Sequence, residues 1–233
     1  MNVRIRSNGE WLNFRMSAPE KFLSVILDVQ KFKYGAQVVL RNGKVYLHVQ
    51  VPFGIYLKHL GKTTGGGLYA GFDLNSDRVN MVTLDENGII RDVRVEHFPE
   101  VNSPGFSRRK ARDLRLKTLA RLLDYAFYHG VGTVFFEDLS RIKRRNGKAT
   151  NSKKGNRKAS NFAKKELLEH GVVMASKRGF DVYLVNPAGS SKLGRELAQG
   201  LGLDVHTASA FVIGWWGVNS LKTHKHPKEE QFG

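Results

Sequence analysis

The stretch Gly132–Leu139 reads Gly-Thr-Val-Phe-Phe-Glu-Asp-Leu, a continuously apolar run that ends in two acids. Continuous rather than alternating apolarity marks a strand covered on both faces, as in the parallel part of a sheet. Before it, over 107–129, Leu116, Leu119, Leu123, Ala126 and Phe127 fall on one face of a helix that closes at Gly130. A parallel strand reached through a long helix is a crossover connection. These residues confine the chain to an α/β architecture and place Glu137 at the carboxyl end of a covered strand.

Three strands come before that helix. Leu68–Asn75, Leu-Tyr-Ala-Gly-Phe-Asp-Leu-Asn, is a short apolar run with one carboxylate, Asp73, near its end. The runs 78–84 and 89–96 flank Asn87-Gly88 and form a hairpin, so the three strands make an antiparallel meander. An unpaired buried charge is neutralised, paired or placed on a metal. Asp73 is therefore either a metal ligand at the sheet rim or the start of the turn through Asn75-Ser76-Asp77.

Upstream, Asn8-Gly9 and Asn42-Gly43 each sit between alternating runs and predict two hairpins. Phe22, Val25, Ile26 and Val29 between them have helical spacing. Pro52 and the glycines after Lys62 end this region, giving a small β-rich module over 1–67, with 61–67 as a flexible joint, and a second domain over 68–233.

The charge points to the partner: 38 Lys and Arg against 21 Asp and Glu give +17. Such a surplus favours a polyanion, nucleic acid first and an anionic membrane surface second. Eleven cations and no acid lie in Arg141–Lys165, including Arg144, Arg145, Lys153, Lys154, Arg157 and Lys158. This basic loop, 141–165, reads as mobile when free, and serves either as a clamp over phosphates or as a solvated loop. Arg108, Arg112 and Arg115 lie mainly off the apolar face of the first long helix, again as nucleic-acid contacts or a solvated face.

Cysteine is absent, which removes disulfides, thiol catalysis and cysteine zinc sites. Carboxylates and histidines remain as metal ligands. No run approaches the ~20 apolar residues of a membrane span. Met1–Trp11 lacks the apolar core of a signal peptide, so the expected setting is cytoplasmic and nucleoid-associated, with no membrane partner.

Downstream, a helix carrying Ala163, Leu167 and Met174 leads to a strand over 181–185, and 188–202 reads as a short irregular link. Ala208, Phe211, Val212 and Trp215 then mark a last helix, headed by Asp204 as its N-cap or as a third site acid. If the first and fourth strands are neighbours, Asp73 and Glu137 converge, and a helix across that edge can bring Asp204. Three convergent carboxylates repel unless cations neutralise them, and such a cluster can hold two Mg2+ about 3.5–4 Å apart.

Four segments, in order, resemble motifs of the transposon-encoded TnpB or OrfB-like proteins. They are Gly71-Phe72-Asp73-Leu74-Asn75, Phe136-Glu137-Asp138-Leu139, Asn186-Pro187-Ala188-Gly189-Ser190-Ser191-Lys192 and Gly202-Leu203-Asp204-Val205-His206. The resemblance covers roughly residues 30–217. It implies a RuvC-like domain of the RNase H-like superfold, an α/β mixed sheet with flanking helices, behind a wedge-like nucleic-acid-binding module. It further implies Asp73, Glu137 and Asp204 as catalytic acids and metal ligands, Mg2+ or Mn2+ as cofactor, and RNA-guided cutting of DNA with a guide RNA as partner. The alternatives are a truncated or domesticated RNA- or DNA-binding protein that does not cut, and a stand-alone nuclease for junctions. Ser190, Ser191 and Lys192 either hold a phosphate or serve as turn and cap, and His206 either touches the site or packs at a helix end. Asp138 alternates to the opposite face from Glu137. The four-cysteine zinc ribbon of many such proteins has no counterpart, so no zinc is expected.

Overall fold

The computed structural model describes the backbone of residues 2–139 and 152–225. The chain divides into two compact units, 1–61 and 62–233.

In the first unit, β1 (Asn2–Ser7) pairs with β2 (Glu10–Arg15), and β3 (Ala36–Arg41) with β4 (Lys44–Val49), both antiparallel. Each turn is an Asn-Gly pair with positive φ at both residues (50° and 87°, then 50° and 70°), the geometry that matches strand twist in a two-residue hairpin. Helix α1 (Leu23–Val29) buries Val25 and Val29. Helix α2 (Phe53–Leu60) was not legible, because Pro52 reads as a terminator. Here it opens the helix, its carbonyl accepting from the backbone N–H of Ile55 and Tyr56. Asp28 joins the two helices: it binds Lys31 at 2.7 Å, Lys58 at 2.6 Å and His59 at 2.6 Å, which hold its carboxyl well below the usual range.

The second unit is built on a five-stranded mixed sheet in the order β7-β6-β5-β8-β9, with β5 (Leu68–Leu74), β6 (Arg78–Leu84), β7 (Ile90–His97), β8 (Val131–Glu137) and β9 (Asp181–Val185). The meander β5-β6-β7 is antiparallel, whereas β5-β8 and β8-β9 are parallel. The first and fourth strands of the domain are thus neighbours, and the architecture is the expected α/β mixed sheet with flanking helices. Segment 62–67 carries ordered contacts: Thr64 donates its backbone N–H to the carbonyl of Gly179 and its hydroxyl to the carbonyl of Gly132.

Alternation along the strands sorts residues to two faces. Ala70, Phe72 and Leu74 of β5, Val79 and Met81 of β6, and Val134 and Phe136 of β8 enter the main core beneath α3 (Arg108–Tyr128) and α4 (Ser152–Arg178). There they meet Leu119, Leu123 and Leu167, all fully buried. Burial of each Phe or Leu of this kind contributes about 1.5–3 kcal/mol. The opposite face carries Val82, Leu84 and Phe135 and is covered by α6 (Val205–Lys225) through Ala210, Ile213 and Val218.

Two expectations are revised. Helix α4 begins at Ser152, so the latter part of the expected basic loop is helical, as the good helix formers Lys, Arg and Ala allow. Residues 140–151, with the rest of that loop, lie outside the described residues. Residues 188–202 contain a full helix, α5 (Ser190–Leu201), which packs on α6 and whose Gly194 and Gly200 give it the look of a loop.

Candidate active site

Asp73 and Glu137 sit side by side because of strand register. Phe72 pairs with Phe136 in the parallel β5-β8 ladder, so the next residue on each strand turns to the α6 face at the same level. Asp73 is 4% exposed. Its Oδ2 accepts from Asn75 Nδ2 at 2.8 Å and lies 3.1 Å from His206 Nδ1, which donates when Asp73 is ionised. The bond to Asp73 raises the His206 pKa against the opposing effect of its burial.

The Glu137 pKa is raised as well, which for a carboxyl favours the uncharged form. Burial is the main cause of its raised pKa and the negative charge of Asp73 the second, with Lys164 and a 3.4 Å contact from Ser190 Oγ offsetting part of it. These two carboxylates therefore repel one another in a poorly solvated place.

Asp204 caps α6. Its Oδ1 accepts the backbone N–H groups of His206 at 2.9 Å and Thr207 at 3.2 Å, and its Oδ2 accepts the Thr207 hydroxyl. Burial acts to raise the Asp204 pKa, but the bonds from Thr207 and His206 outweigh it and the net shift is downward. Thr207 Oγ1 in turn accepts from Asn80 Nδ2 at 2.8 Å. Asn80 is the cross-strand partner of Asp73 and fully buried, and its Oδ1 has no partner among the described residues. A chain Asn80–Thr207–Asp204 thus ties the helix cap to the sheet.

The acids are connected in two steps rather than gathered in one cluster. Asp73 acts directly on Glu137, and His206 links Asp73 to the head of α6, where Asp204 lies two residues away. Among the described residues, no three His, Asp or Glu side chains are grouped closely enough to hold a metal as they stand. The donor set nevertheless fits a hard divalent cation: carboxylate oxygens, mutual repulsion that a cation would relieve, and an orphaned buried amide oxygen on the strand beside Asp73.

Arg78, on β6, binds Asp77 at 3.2 Å and is attracted by Asp204 and Asp73. Arg78, Asn75, Asn80 and Thr207 were missed by sequence reasoning. The available signal was register, since Asn80 stands opposite Asp73 once the hairpin is counted out. Ser190 and His206 do reach the acids.

The other expected contacts separate. Arg112 binds Glu166 at 2.8 Å and His170 at 3.0 Å, bracing α3 on α4. Arg115 donates to the Ser76 carbonyl at 2.8 Å and holds the β5-β6 turn, with burial lowering its pKa. Arg108, Ser191 and Lys192 are exposed, Lys192 lying 4.0 Å from Glu196. Arg144 and Arg145 lie outside the described residues, as do the side chains of Lys153, Lys154, Arg157 and Lys158. No described helix is long and apolar enough to cross a membrane.

The family profile of the SSO2105 N-terminal domain matches residues 1–61. Over 235 residues the chain is 41% identical to the uncharacterized protein SSO2105 of Saccharolobus solfataricus, covering 97% of this chain. Among solved structures, T. thermophilus RuvC in complex with a Holliday junction substrate aligns with a TM-score of 0.46 and 16% identity over 68% of this chain and 96% of that one. Cas12f1 in complex with single-guide RNA and target DNA aligns with a TM-score of 0.40 and 13% identity over 73% of this chain and 41% of that one. The chain spans 63% of the length of SSO2105.

Proposed function

We propose that the chain is a divalent-metal-dependent nuclease of the TnpB or OrfB-like kind, cutting DNA phosphodiesters under the direction of a guide RNA. The observation that carries this reading is the pair Asp73–Glu137, two poorly solvated carboxylates held at the carboxyl ends of adjacent parallel strands. A fold gains nothing from such repulsion, and functional sites are where local rules of this kind are broken. The four motifs in register support the finer assignment to DNA, guide RNA and a transposon setting.

Asp73 and Glu137 would hold Mg2+ or Mn2+, with Asp204 as third ligand. When bound, paired cations supply activation of the attacking water and stabilisation of the leaving oxygen. Asn75 and His206 fix the rotamer of Asp73 by binding the same oxygen. Thr207 and the first turn of α6 fix Asp204 and keep it ionised. Ser190 Oγ shares its one proton between the Pro187 carbonyl at 3.0 Å and Glu137 at 3.4 Å, and Arg78 contributes positive charge beside the acids.

One observation favours a second reading, nucleic-acid binding without cleavage: the cap already places three hydrogen bonds on Asp204, which leaves its carboxylate about one free lone-pair site. The two are separated by offering labelled DNA to the purified protein with its co-purifying RNA in Mg2+, beside an Asp73→Ala variant. Metal-dependent cleavage that the variant lacks is the expected result. Binding without cleavage under every guide condition would leave only the second reading, and a junction substrate in the same assay tests a stand-alone resolvase.

A further inference from the structure

We propose that the β1-β2 hairpin is a stacking platform for single-stranded nucleic acid, with Trp11 as the ring that faces a base and Arg4, Arg6 and Arg15 as the cations that face phosphates. Antiparallel register places these four side chains on one face: Arg6 is opposite Trp11, Arg4 opposite Asn13, and Arg15 lies two residues beyond Asn13. Arg4 and Arg6 stand over the indole, their guanidinium carbons 4.2 and 5.9 Å from its centroid. Trp11 is nonetheless 51% exposed, and all three arginines are exposed.

The indole packs against Arg4 and Arg6 yet stays half in water, no ion pair of the three arginines is found among the described residues, and the hairpin's one acid, Glu10, alternates to the other face. The second hairpin repeats the pattern: Arg41, Lys44, Tyr46 and His48 share a face, all exposed, with no acid in either strand. Cations that track a backbone and aromatic rings that take bases are the two parts of a single-strand site. A duplex keeps its base faces stacked internally, so the ring selects the unpaired strand whereas the arginines attract either form. The platform lies in the first unit and does not depend on cleavage at Asp73.

The test uses the full chain in EDTA-containing buffer, so that cleavage plays no part. Binding of labelled 20-nucleotide thymidine and uridine homopolymers and of a 20-base-pair duplex is followed by fluorescence anisotropy. Base–aromatic stacking energies correspond to about a fivefold to hundredfold loss of single-strand affinity for Trp11→Leu, with Trp11→Tyr between it and wild type. Duplex affinity changes little. Leu retains bulk and strand-forming tendency without a π-face, and circular dichroism confirms that the hairpin variant is folded. Arg4→Gln, Arg6→Gln and Arg15→Gln each lower the slope of log affinity on log salt by about 0.7. Equal affinity of the Leu and Tyr variants, an equal loss on duplex and single strand, or Trp11-dependent binding to phosphatidylserine vesicles in place of oligonucleotide would each overturn the proposal.

Discussion

Gly71 is where the fold and the candidate site are mechanically one object. It lies on β5 two residues before Asp73, at the point where α6 crosses the sheet. A Cβ built there would meet the Ala210 carbonyl oxygen and stand 2.7 Å from Gly214 Cα. Carbon atoms rest at about 3.5–4.0 Å, so Gly71→Ala forces α6 off the sheet by about 1 Å. Overpacking of this kind costs about 1–3 kcal/mol. For a unit of this size each kcal/mol is about 2–4 °C in Tm, so the midpoint falls by about 2–12 °C.

The same displacement carries His206 away from Asp73 and stretches a bond that is now 3.1 Å. Two measurements check this: thermal denaturation by far-ultraviolet circular dichroism, and NMR titration of the His206 imidazole. The imidazole pKa, raised in wild type mainly by the bond to Asp73, moves back toward its ordinary value in the variant. Gly65→Ala is the control, since nothing lies within 4 Å of its Cβ. A Gly71→Ala protein that melts with wild type and keeps the raised His206 would refute the claim that helix–sheet contact positions the site.

Two further substitutions probe the electrostatics. The Glu137 pKa is higher folded than unfolded, so wild-type protein loses stability as pH rises from the unfolded value, about 4.3, through the folded one. Glu137→Gln removes that loss: in metal-free buffer its Tm exceeds wild type at pH 7, the advantage vanishes below about pH 4, and Mg2+ narrows it. A variant less stable than wild type at pH 7 would show instead that the carboxylate is satisfied. Thr207→Val breaks the Asn80–Thr207–Asp204 chain and lowers stability by about 1–3 kcal/mol in urea denaturation with m unchanged. Because the Asp204 pKa is depressed on folding, this bond stabilises above the unfolded carboxyl value and is lost as pH falls, so the deficit shrinks in acid.

The sheet was legible because each strand carries its own evidence. Asn-Gly turns fix the hairpins, and the contrast between continuous and alternating apolarity separates the parallel strands from the meander. Helices α2 and α5 were hidden by residues whose helical role depends on position: a proline that starts rather than stops, and a glycine, Gly194, whose Cβ would run into Ser209 of α6. The partnerships of Arg112 and Arg115 were hidden for another reason. A cation off the apolar stripe of α3 looks solvated until α4 and the β5-β6 turn are placed against it.

Asp204 makes the deeper point. Read from sequence, cap and ligand are rival explanations, yet in space they are compatible. A carboxylate offers about four lone-pair sites on two oxygens, and the cap takes two backbone N–H groups on Oδ1 and one hydroxyl on Oδ2. Those bonds hold the group ionised and fix its rotamer, which is what a ligand must have before a cation arrives. The chain Asn80–Thr207–Asp204 sets that rotamer from the strand paired with Asp73, so helix head and strand end are registered through one buried asparagine. Asp73 and Asp204 are thus pre-positioned by bonds that persist without metal. Glu137, whose main interactions here are burial and repulsion, is the member of the set whose charge state stands to change most when a cation binds.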